Sequence, residues 1–304
     1  MVDGSSIRFA DEVAFARRDG RPVVALESSV LAQGLPVPAN RDADARMRSA
    51  VRRHGAVPAV TAVVRGVPTV GLEGDDLERF LMHMGVSKVS ARDMPWAVAS
   101  GIDGGTTVAA ALCLCALAGL DVFATGGIGG VHRNAPFDES ADLLELSRTP
   151  AIVVCAGAKS VLDLPATFER LETLGVSVLG YRTAEFPGFF AAATGLRLTA
   201  TAEHPEEVVA TFRAMRALKR PGALLVVQSP PVGAALDESL VHGAVDAALV
   251  RAAAAGISGA AVTPFLLAAV DSATGGRSLA TNLALLEANA SLAATIAVAL
   301  SVSL

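Results

Sequence analysis

Short apolar runs rich in valine recur along this chain, at Pro22–Leu26, Ala59–Val64, Asp121–Thr125, Ala151–Cys155, Val176–Tyr181 and Ala223–Gln228, with longer segments of helical period between them. That alternation predicts an α/β fold. The candidate helices are Arg41–His54 with Asn40 as N-cap and Gly55 after it, Asp76–Met84 before Gly85, Val161–Leu174 before Gly175, and Glu206–Leu218. Two runs joined through Arg65, Gly66, Val67 and Pro68 read as a hairpin, so the sheet is expected to be mixed. No Ser-, Pro- or Gly-rich linker divides the sequence, and residues 1–304 are expected to form a single domain.

Composition narrows the partners. With 52% hydrophobic and 18% charged residues, the chain lies far from the composition of disordered proteins. The net charge is −5, no run of Lys or Arg occurs and aromatics make up 4%, which argues against a nucleic-acid or anionic-lipid surface. A small molecule is the expected partner. The start, MVDGSSIRFADEVAFARRDG, carries acids where a secretory signal needs a basic stretch and an apolar core. The apolar stretches Val108–Leu120 and Ala151–Ala158 are shorter than the roughly 18–20 residues of a membrane span. Ala288–Leu304, broken by Ser291 and Ser301, reads as a helix packed against protein. Cys113, Cys115 and Cys155 lie in apolar stretches without metal-ligand spacing, as reduced, buried thiols do in a cytoplasmic protein.

Only three of the 25 basic residues are lysines, Lys88, Lys159 and Lys219, the rest being arginine. A guanidinium stays protonated and forms no imine, whereas an amine can attack a carbonyl, so the few lysines are informative. Lys159, in AIVVCAGAKSVLD, follows a run that reads as a buried strand. It would project from a carboxyl end, where α/β proteins bind ligands. Its two readings are a catalytic amine and a buried salt bridge. Lys219, in LKRP, reads as a solvated helix end.

Two glycine-rich segments stand out. Gly104-Gly105-Thr106-Thr107-Val108 precedes a long apolar helix and could offer N–H groups, hydroxyls and a helix dipole to a phosphate. By pattern alone a tight turn is the commoner reading. Gly126–Gly130, followed by Val131, His132 and Arg133, lacks the spacing of a dinucleotide fingerprint. His132 reads either as a site residue or as a cap. Glu27 ends a strand before a loop with Gly34, Pro36 and Pro38, and reads as a general acid or base or as a cap or ion-pair partner. Asp138 and Asp142 flank Ser140, where a metal ligand with a polar clamp competes with an acid-rich helix start; spacing alone favours the helix start. His54, His83, His204 and His242 are expected to face solvent or to cap.

Together these segments resemble the pseudouridine-5'-phosphate glycosidase family, also called indigoidine synthase A-like. The carriers are LESSVLAQGLPVPAN, KVSARD, GGTTV, VFATGGIGGVHR, ESADLLEL, VVCAGAKSVLD, LETLGVSVLGY, EFPGF, VTPFLL and GGRSLATNLALLEANA, in order over nearly the whole chain. The resemblance implies a three-layer α/β/α fold with a central mixed sheet, a homotrimer, and a divalent metal such as manganese (Mn2+). It also implies cleavage or formation of a carbon–carbon bond between ribose 5-phosphate and a base. It makes Lys159 the nucleophile, Glu27 the proton donor and Asp138 the metal ligand. Lys88, Val108 and Ser140-Ala141-Asp142 become substrate contacts, with Thr107 beside them, and His132 and Asn282 become pocket residues. A C–C glycosidic bond has no leaving heteroatom to protonate, so paired carboxylates of the ordinary kind do not suffice and an imine is needed as electron sink.

The sequence departs from the family pattern at Ser28, Gln33, Val37 and Phe190, and the loop Asn134–Phe137 is short. These departures leave the phosphosugar chemistry intact and point to an aglycone pocket drifted from uracil toward a planar aromatic. Three functions compete: breakdown of pseudouridine 5'-phosphate, C-ribosylation of an aromatic acceptor as in alnumycin-type synthases, and binding of a phosphosugar without catalysis. Retention of Lys159, Glu27 and Asp138 argues against the last.

Overall fold

The computed structural model describes residues 7–133, 137–257 and 262–302. Its strands are β1 (Arg8–Phe9), β2 (Val23–Leu26), β3 (Val57–Val64), β4 (Val67–Val70), β5 (Ser87–Val89), β6 (Gly104–Thr106), β7 (Val122–Ala124), β8 (Ile152–Cys155), β9 (Ser177–Tyr181), β10 (Thr201–Ala202) and β11 (Leu224–Val227). The first helices are α1 (Asp11–Arg18), α2 (Ala39–Arg53), α3 (Gly74–Leu81), α4 (Met94–Ala99) and α5 (Val108–Ala118). They are followed by α6 (Ala141–Arg148), α7 (Leu164–Thr173), α8 (Pro205–Ala217), α9 (Glu238–Ala254), α10 (Val262–Ala273) and α11 (Arg277–Val302).

The strands form one mixed sheet that changes character along β3. Residues Val57–Val60 of β3 pair in parallel with β2, and from there β2, β7, β8, β11, β9 and β10 continue in parallel. Thr61–Val64 pair antiparallel with β4, while Ala62 and Val63 pair antiparallel with β6, which carries β5 alongside it. Every residue of β3 is buried, because helices cover both faces and no alternation survives. Helices α2, α8 and α11 pack together on one side, and α5 and α6 pack on the other. Where pairing with β2 stops, the orphan carbonyl of Leu26 accepts the Thr61 hydroxyl at 3.0 Å.

The expected hairpin is present: Arg65 and Gly66, both at positive φ (49° and 78°), join β3 to β4 as a two-residue turn of primed type. Several elements differ from the sequence reading: α3 ends at Leu81 and not Met84, and α11 starts at Arg277 and not Ala288. Asn40 is not the N-cap of α2 but lies inside it, fully buried, donating to the Leu31 and Leu81 carbonyls at 2.9 and 2.7 Å. Helix α7 starts at Leu164, because the Asp163 side chain accepts from Ala166 N–H and sets the cap three residues later than expected. Gly104–Thr106, read as a loop, is strand β6; partners distant in sequence overrule the local glycine signal. Helix α11 is apolar and long enough to cross a bilayer, yet 56% of its most apolar window is buried in the fold. It packs on α2, α8, β2, β7 and β8.

Candidate active site

β2, β7 and β8 are parallel neighbours, so their carboxyl ends open onto one edge of the sheet, where α/β folds form ligand crevices. Glu27 follows β2, Thr125 follows β7, and Lys159 follows β8 after the turn Ala156–Gly157–Ala158. Gly157 sits at φ 78°, and a Cβ there would lie 1.8 Å from the Pro187 carbonyl oxygen, so the turn that delivers Lys159 requires glycine. Ile128 N–H donates to Gly157 O at 3.0 Å and Lys159 N–H to Ile128 O at 3.1 Å. These bonds stitch the glycine-rich loop to the Lys159 turn.

Glu27 is 5% exposed. Thr125 donates its hydroxyl to Oε1, and Ser29 donates to Oε2 at 2.6 Å. Among the described residues it neither caps a helix nor joins an ion pair; it is a buried carboxyl oriented by two hydroxyls. Lys159 is half-buried and likewise in no salt bridge among the described residues.

Lys88 lies on β5 opposite Gly105 of β6. Burial of its ammonium group lowers its pKa below 10.5, the charge of Lys159 lowers it further, and Glu27 and Asp142 oppose the shift. The residue retains an open surface, which moderates the effect. These four charges come from the ends of β2, β5 and β8 and the start of α6, and all act at one place.

Asp142 spends both oxygens on backbone: Oδ1 accepts from Ala109 N–H at 3.0 Å and Oδ2 from Gly129 N–H at 2.8 Å. It thus ties the start of α5 to the glycine-rich loop, rather than serving its own helix alone. Thr107 caps α5 by accepting from Ala110 N–H, and Ser140 caps α6 by accepting from Asp142 N–H at 3.2 Å. As first residues of their helices, Val108 and Ala141 keep N–H groups without an intrahelical acceptor. These two amides, with Lys88 nearby, suit an anion; part of the α5 terminus is already served by Asp142.

His132 Nδ1 lies 2.8 Å from Asp138 Oδ2, and His132 N–H donates to the Asp138 carbonyl at 2.9 Å. The histidine is therefore Asp138's partner and not a helix cap. A bridge between His132 and Leu162 sets this pair beside the Lys159 turn. No group of three His, Cys, Asp or Glu side chains able to hold a metal occurs among the described residues. Asp138 offers a single half-exposed carboxylate, a donor set that suits a hard, largely hydrated divalent cation and no other kind.

Asn282, on α11, has a buried Oδ1 without a protein partner. Of the family departures, Gln33 donates to the Val86 carbonyl at 3.0 Å and leaves Oε1 buried and unpartnered beside Gly105. Phe190 is 2% exposed and packs edge-on to Phe189, and Val37 is 47% exposed. The three therefore do not form one surface: Phe190 belongs to the core, Val37 to solvent, and only Gln33 offers an unsatisfied atom. Asn134–Pro136 of the shortened loop lie outside the described residues. A cavity of about 420 Å³ lined by Arg148, Pro150, Arg216, Lys219, Arg220 and Pro221 opens at the amino ends of β8 and β11, away from these groups. Its cations complement the ends of α6 and α8.

Sequence reasoning assigned no role to Ser29, Thr125, Gln228 or Asn289. The signal for Asn289 was present: it lies seven residues after Asn282 in the same helix, hence on the same face. The expected solvent or capping roles of the other histidines hold, with His204 capping α8 and His54 meeting Ser291. All three cysteines are free; Cys115 and Cys155 are buried and Cys113 is half-buried, and burial pushes each thiol up to about 12.

A mixed α/β/α sheet with a lysine, a glutamate and two helix starts at its carboxyl edge matches one family over almost its full length. The model of the indigoidine synthase A-like proteins matches residues 12–299, and the chain belongs to that family. It is 63% identical over 293 residues to the pseudouridine-5'-phosphate glycosidase of Gemmatimonas aurantiaca, covering 96% of each chain. The protein of the same name from Herpetosiphon aurantiacus is 51% identical over 293 residues, covering 96% of this chain and 97% of that one. Among solved structures, the prealnumycin C-glycosynthase AlnA in complex with ribulose 5-phosphate superposes with a TM-score of 0.91 at 37% identity, covering 98% of this chain and 97% of that one. An indigoidine synthase A-like protein of Thermotoga maritima gives 0.90 at 35% identity, covering 99% and 98%.

Proposed function

We propose that this enzyme cleaves the C–C glycosidic bond of pseudouridine 5'-phosphate, reversibly, to give uracil and ribose 5-phosphate. The observation that carries the reading is the shared strand edge: a buried, doubly oriented Glu27 and a Lys159 in no ion pair, with Lys88 in the same field. The name and 63% identity of the Gemmatimonas aurantiaca relative support the substrate.

In this reading Lys159 Nζ bonds to C1 of the ribose as the bond from C1 to the ring oxygen breaks, and Glu27 supplies the proton that the departing oxygen takes up. The alkylated nitrogen gives a proton back to the Glu27 carboxylate, and its lone pair then forms C=N while the C1–base bond breaks. Its electron pair goes to the base carbon, which takes a proton, and water hydrolyses the imine to release ribose 5-phosphate and the free amine. Lys88, Thr107 and the Val108 and Ala141 amides, with Ser140 and Asp142 around them, hold the phosphate, whose binding energy positions the reacting atoms. Asn282 Oδ1, buried and without a partner, is the acceptor offered to the base. Asp138, oriented by His132, would hold the divalent metal. When bound, that ion supplies positive charge beside the phosphosugar.

Borohydride trapping with ribose 5-phosphate tests the reading: mass is expected on Lys159, and a label on Lys88 or nowhere overturns the nucleophile. Exhaustive chelation should stop turnover and manganese restore it; full activity without metal removes the ion from the reaction. The likeness to AlnA favours a second reading, coupling of ribose 5-phosphate to a planar aromatic acceptor, which a panel of acceptors assayed beside pseudouridine 5'-phosphate separates from the first. The free thiols support a reducing, cytoplasmic setting. A homotrimer completes the proposal, checked by light scattering; apolar side chains such as Trp96 and Phe137, 61% and 99% exposed on the single chain, are available for burial.

A further inference from the structure

One of the two hydroxyls that hold Glu27 is itself held from a distant helix. Thr125 donates its hydroxyl to Glu27 Oε1, its N–H donates to the Val154 carbonyl of β8 at 3.0 Å, and its carbonyl accepts from Asn289 Nδ2 at 2.8 Å. The same amide donates to Gly126 O at 3.2 Å. Asn289, on α11, is 1% exposed, and its Oδ1 accepts from Gln228 Nε2 at 2.9 Å. Gln228 follows β11 and donates its own N–H to Cys155 O at 3.1 Å. The path Gln228–Asn289–Thr125–Glu27 thus runs from the end of β11 to the carboxyl without a gap.

Nothing in the packing of an apolar helix calls for a buried amide at this point, since an Asn inside a core is costly unless each polar atom is matched. Here both ends are matched, and the matched backbone is that of the residue contacting Glu27. With the Thr125 peptide fixed on both sides, N–H by β8 and C=O by Asn289, the staggered positions open to its hydroxyl are limited and one of them meets Oε1.

We infer that Asn289, backed by Gln228, is a positioning residue that acts through Thr125 to aim the Glu27 carboxyl at the reacting atoms. The inference rests on the reading of Glu27 as the proton-transfer group. A merely structural asparagine stabilises the fold and leaves proton transfer alone; a positioning asparagine lowers kcat through Thr125 and through nothing else.

The experiment is a double-mutant cycle on the full enzyme cleaving pseudouridine 5'-phosphate, with kcat, KM, pH profile and melting temperature recorded. Thr125→Val should lower kcat by about tenfold to a hundredfold, the worth of a hydrogen bond to a charged group, with KM within about twofold. Thr125→Ser, which keeps the hydroxyl, should recover most of that loss. Asn289→Ala should lower kcat by roughly threefold to tenfold and displace the same limb of the pH profile that Glu27→Gln removes. In the Thr125→Val background Asn289→Ala should add nothing further, because both act on one contact. If Asn289→Ala fails to fold, Gln228→Met, which removes only the outer donor, carries the cycle with the same expected non-additivity. Losses that multiply, or that appear only in KM or melting temperature, overturn the inference. Glu27→Gln without turnover beside Asn289→Ala at full kcat overturns the inference alone. Undiminished turnover in Glu27→Gln overturns the reading of Glu27 and the inference with it.

Discussion

The two parts of the sheet that meet at β3 contribute unlike things. The parallel part ends in short turns fixed by backbone bonds, and from those turns come Glu27, Thr125 and Lys159. The antiparallel corner of β3, β4, β6 and β5 brings Lys88 and the Thr107 cap. It is tied to the parallel part through buried hydroxyls: Thr106 Oγ1 donates to the Thr61 carbonyl at 2.9 Å, and Thr106 N–H donates to Ser28 Oγ at 3.0 Å. In the proposed reading, bond making falls to the part whose geometry is set by strand ends, and phosphate recognition to the part whose position depends on a side-chain network.

The sharpest break of this comparison is Lys159→Arg. Charge is retained and nucleophilicity lost, so turnover should fall by at least about a thousandfold, while the melting temperature stays within about 2 °C because the side chain makes no ion pair to lose. Cleavage kinetics and a thermal scan check both halves. Residual turnover above a percent would show that the parallel edge is not where the covalent step occurs.

Removing Lys88 probes the other part. Lys88→Met should raise KM for pseudouridine 5'-phosphate by about tenfold to a hundredfold, as expected for loss of a charge-assisted phosphate contact, and change kcat by much less. A collapse of kcat at unchanged KM would move Lys88 from binding into the chemistry and dissolve the division.

The link between the parts is tested by Thr106→Val. Thr106 is fully buried, and the change leaves the Ser28 N–H and the Thr61 carbonyl without one of their partners. The expected cost is about 1–3 kcal/mol in denaturant unfolding, with KM rising more than kcat falls. A loss under about 0.5 kcal/mol, within the range of an ordinary surface change, would mean that the corner holds its place without the network.

How far the sequence disclosed these parts follows the same line. Parallel strands β2, β7, β8, β9 and β11 were legible because each lies in a short apolar run, whereas the two-residue β10 (Thr201–Ala202) was not; Glu27 and Lys159 were legible because each comes at or just after the end of such a run, Lys159 in a chain nearly free of lysine. Strands β5 and β6 were hidden: Ser87–Val89 and Gly104–Thr106 carry little apolar signal, and only pairing of β6 with β3, and of β5 with β6, makes them strands. The same holds for Asn40, whose side-chain partners Leu31 and Leu81 are brought to it by the fold. Asp142 was read correctly as belonging to a helix start, but its two acceptor bonds go to Ala109 and Gly129, a linkage that no local pattern encodes. Roles for Lys88, Val108, Asn282 and Asp138 came from the family resemblance and not from spacing.

The smallest effect concerns the one place where the two parts feel each other's charge. Burial lowers the Lys88 pKa below 10.5, and repulsion from Lys159 lowers it further. A depressed lysine is charged at low pH and loses its proton earlier than a free amine as pH rises. Affinity for a phosphosugar that cannot form an imine, such as ribitol 5-phosphate, should therefore fall on the alkaline side at a pH below 10.5, the ordinary lysine value. In Lys159→Met the repulsion is gone while burial, Glu27 and Asp142 remain, so the midpoint of that fall should move upward. Titration calorimetry at a series of pH values measures both midpoints. A midpoint that stays put or moves down would separate Lys88 electrostatically from Lys159, and the two parts of the sheet would then share a ligand without sharing a field.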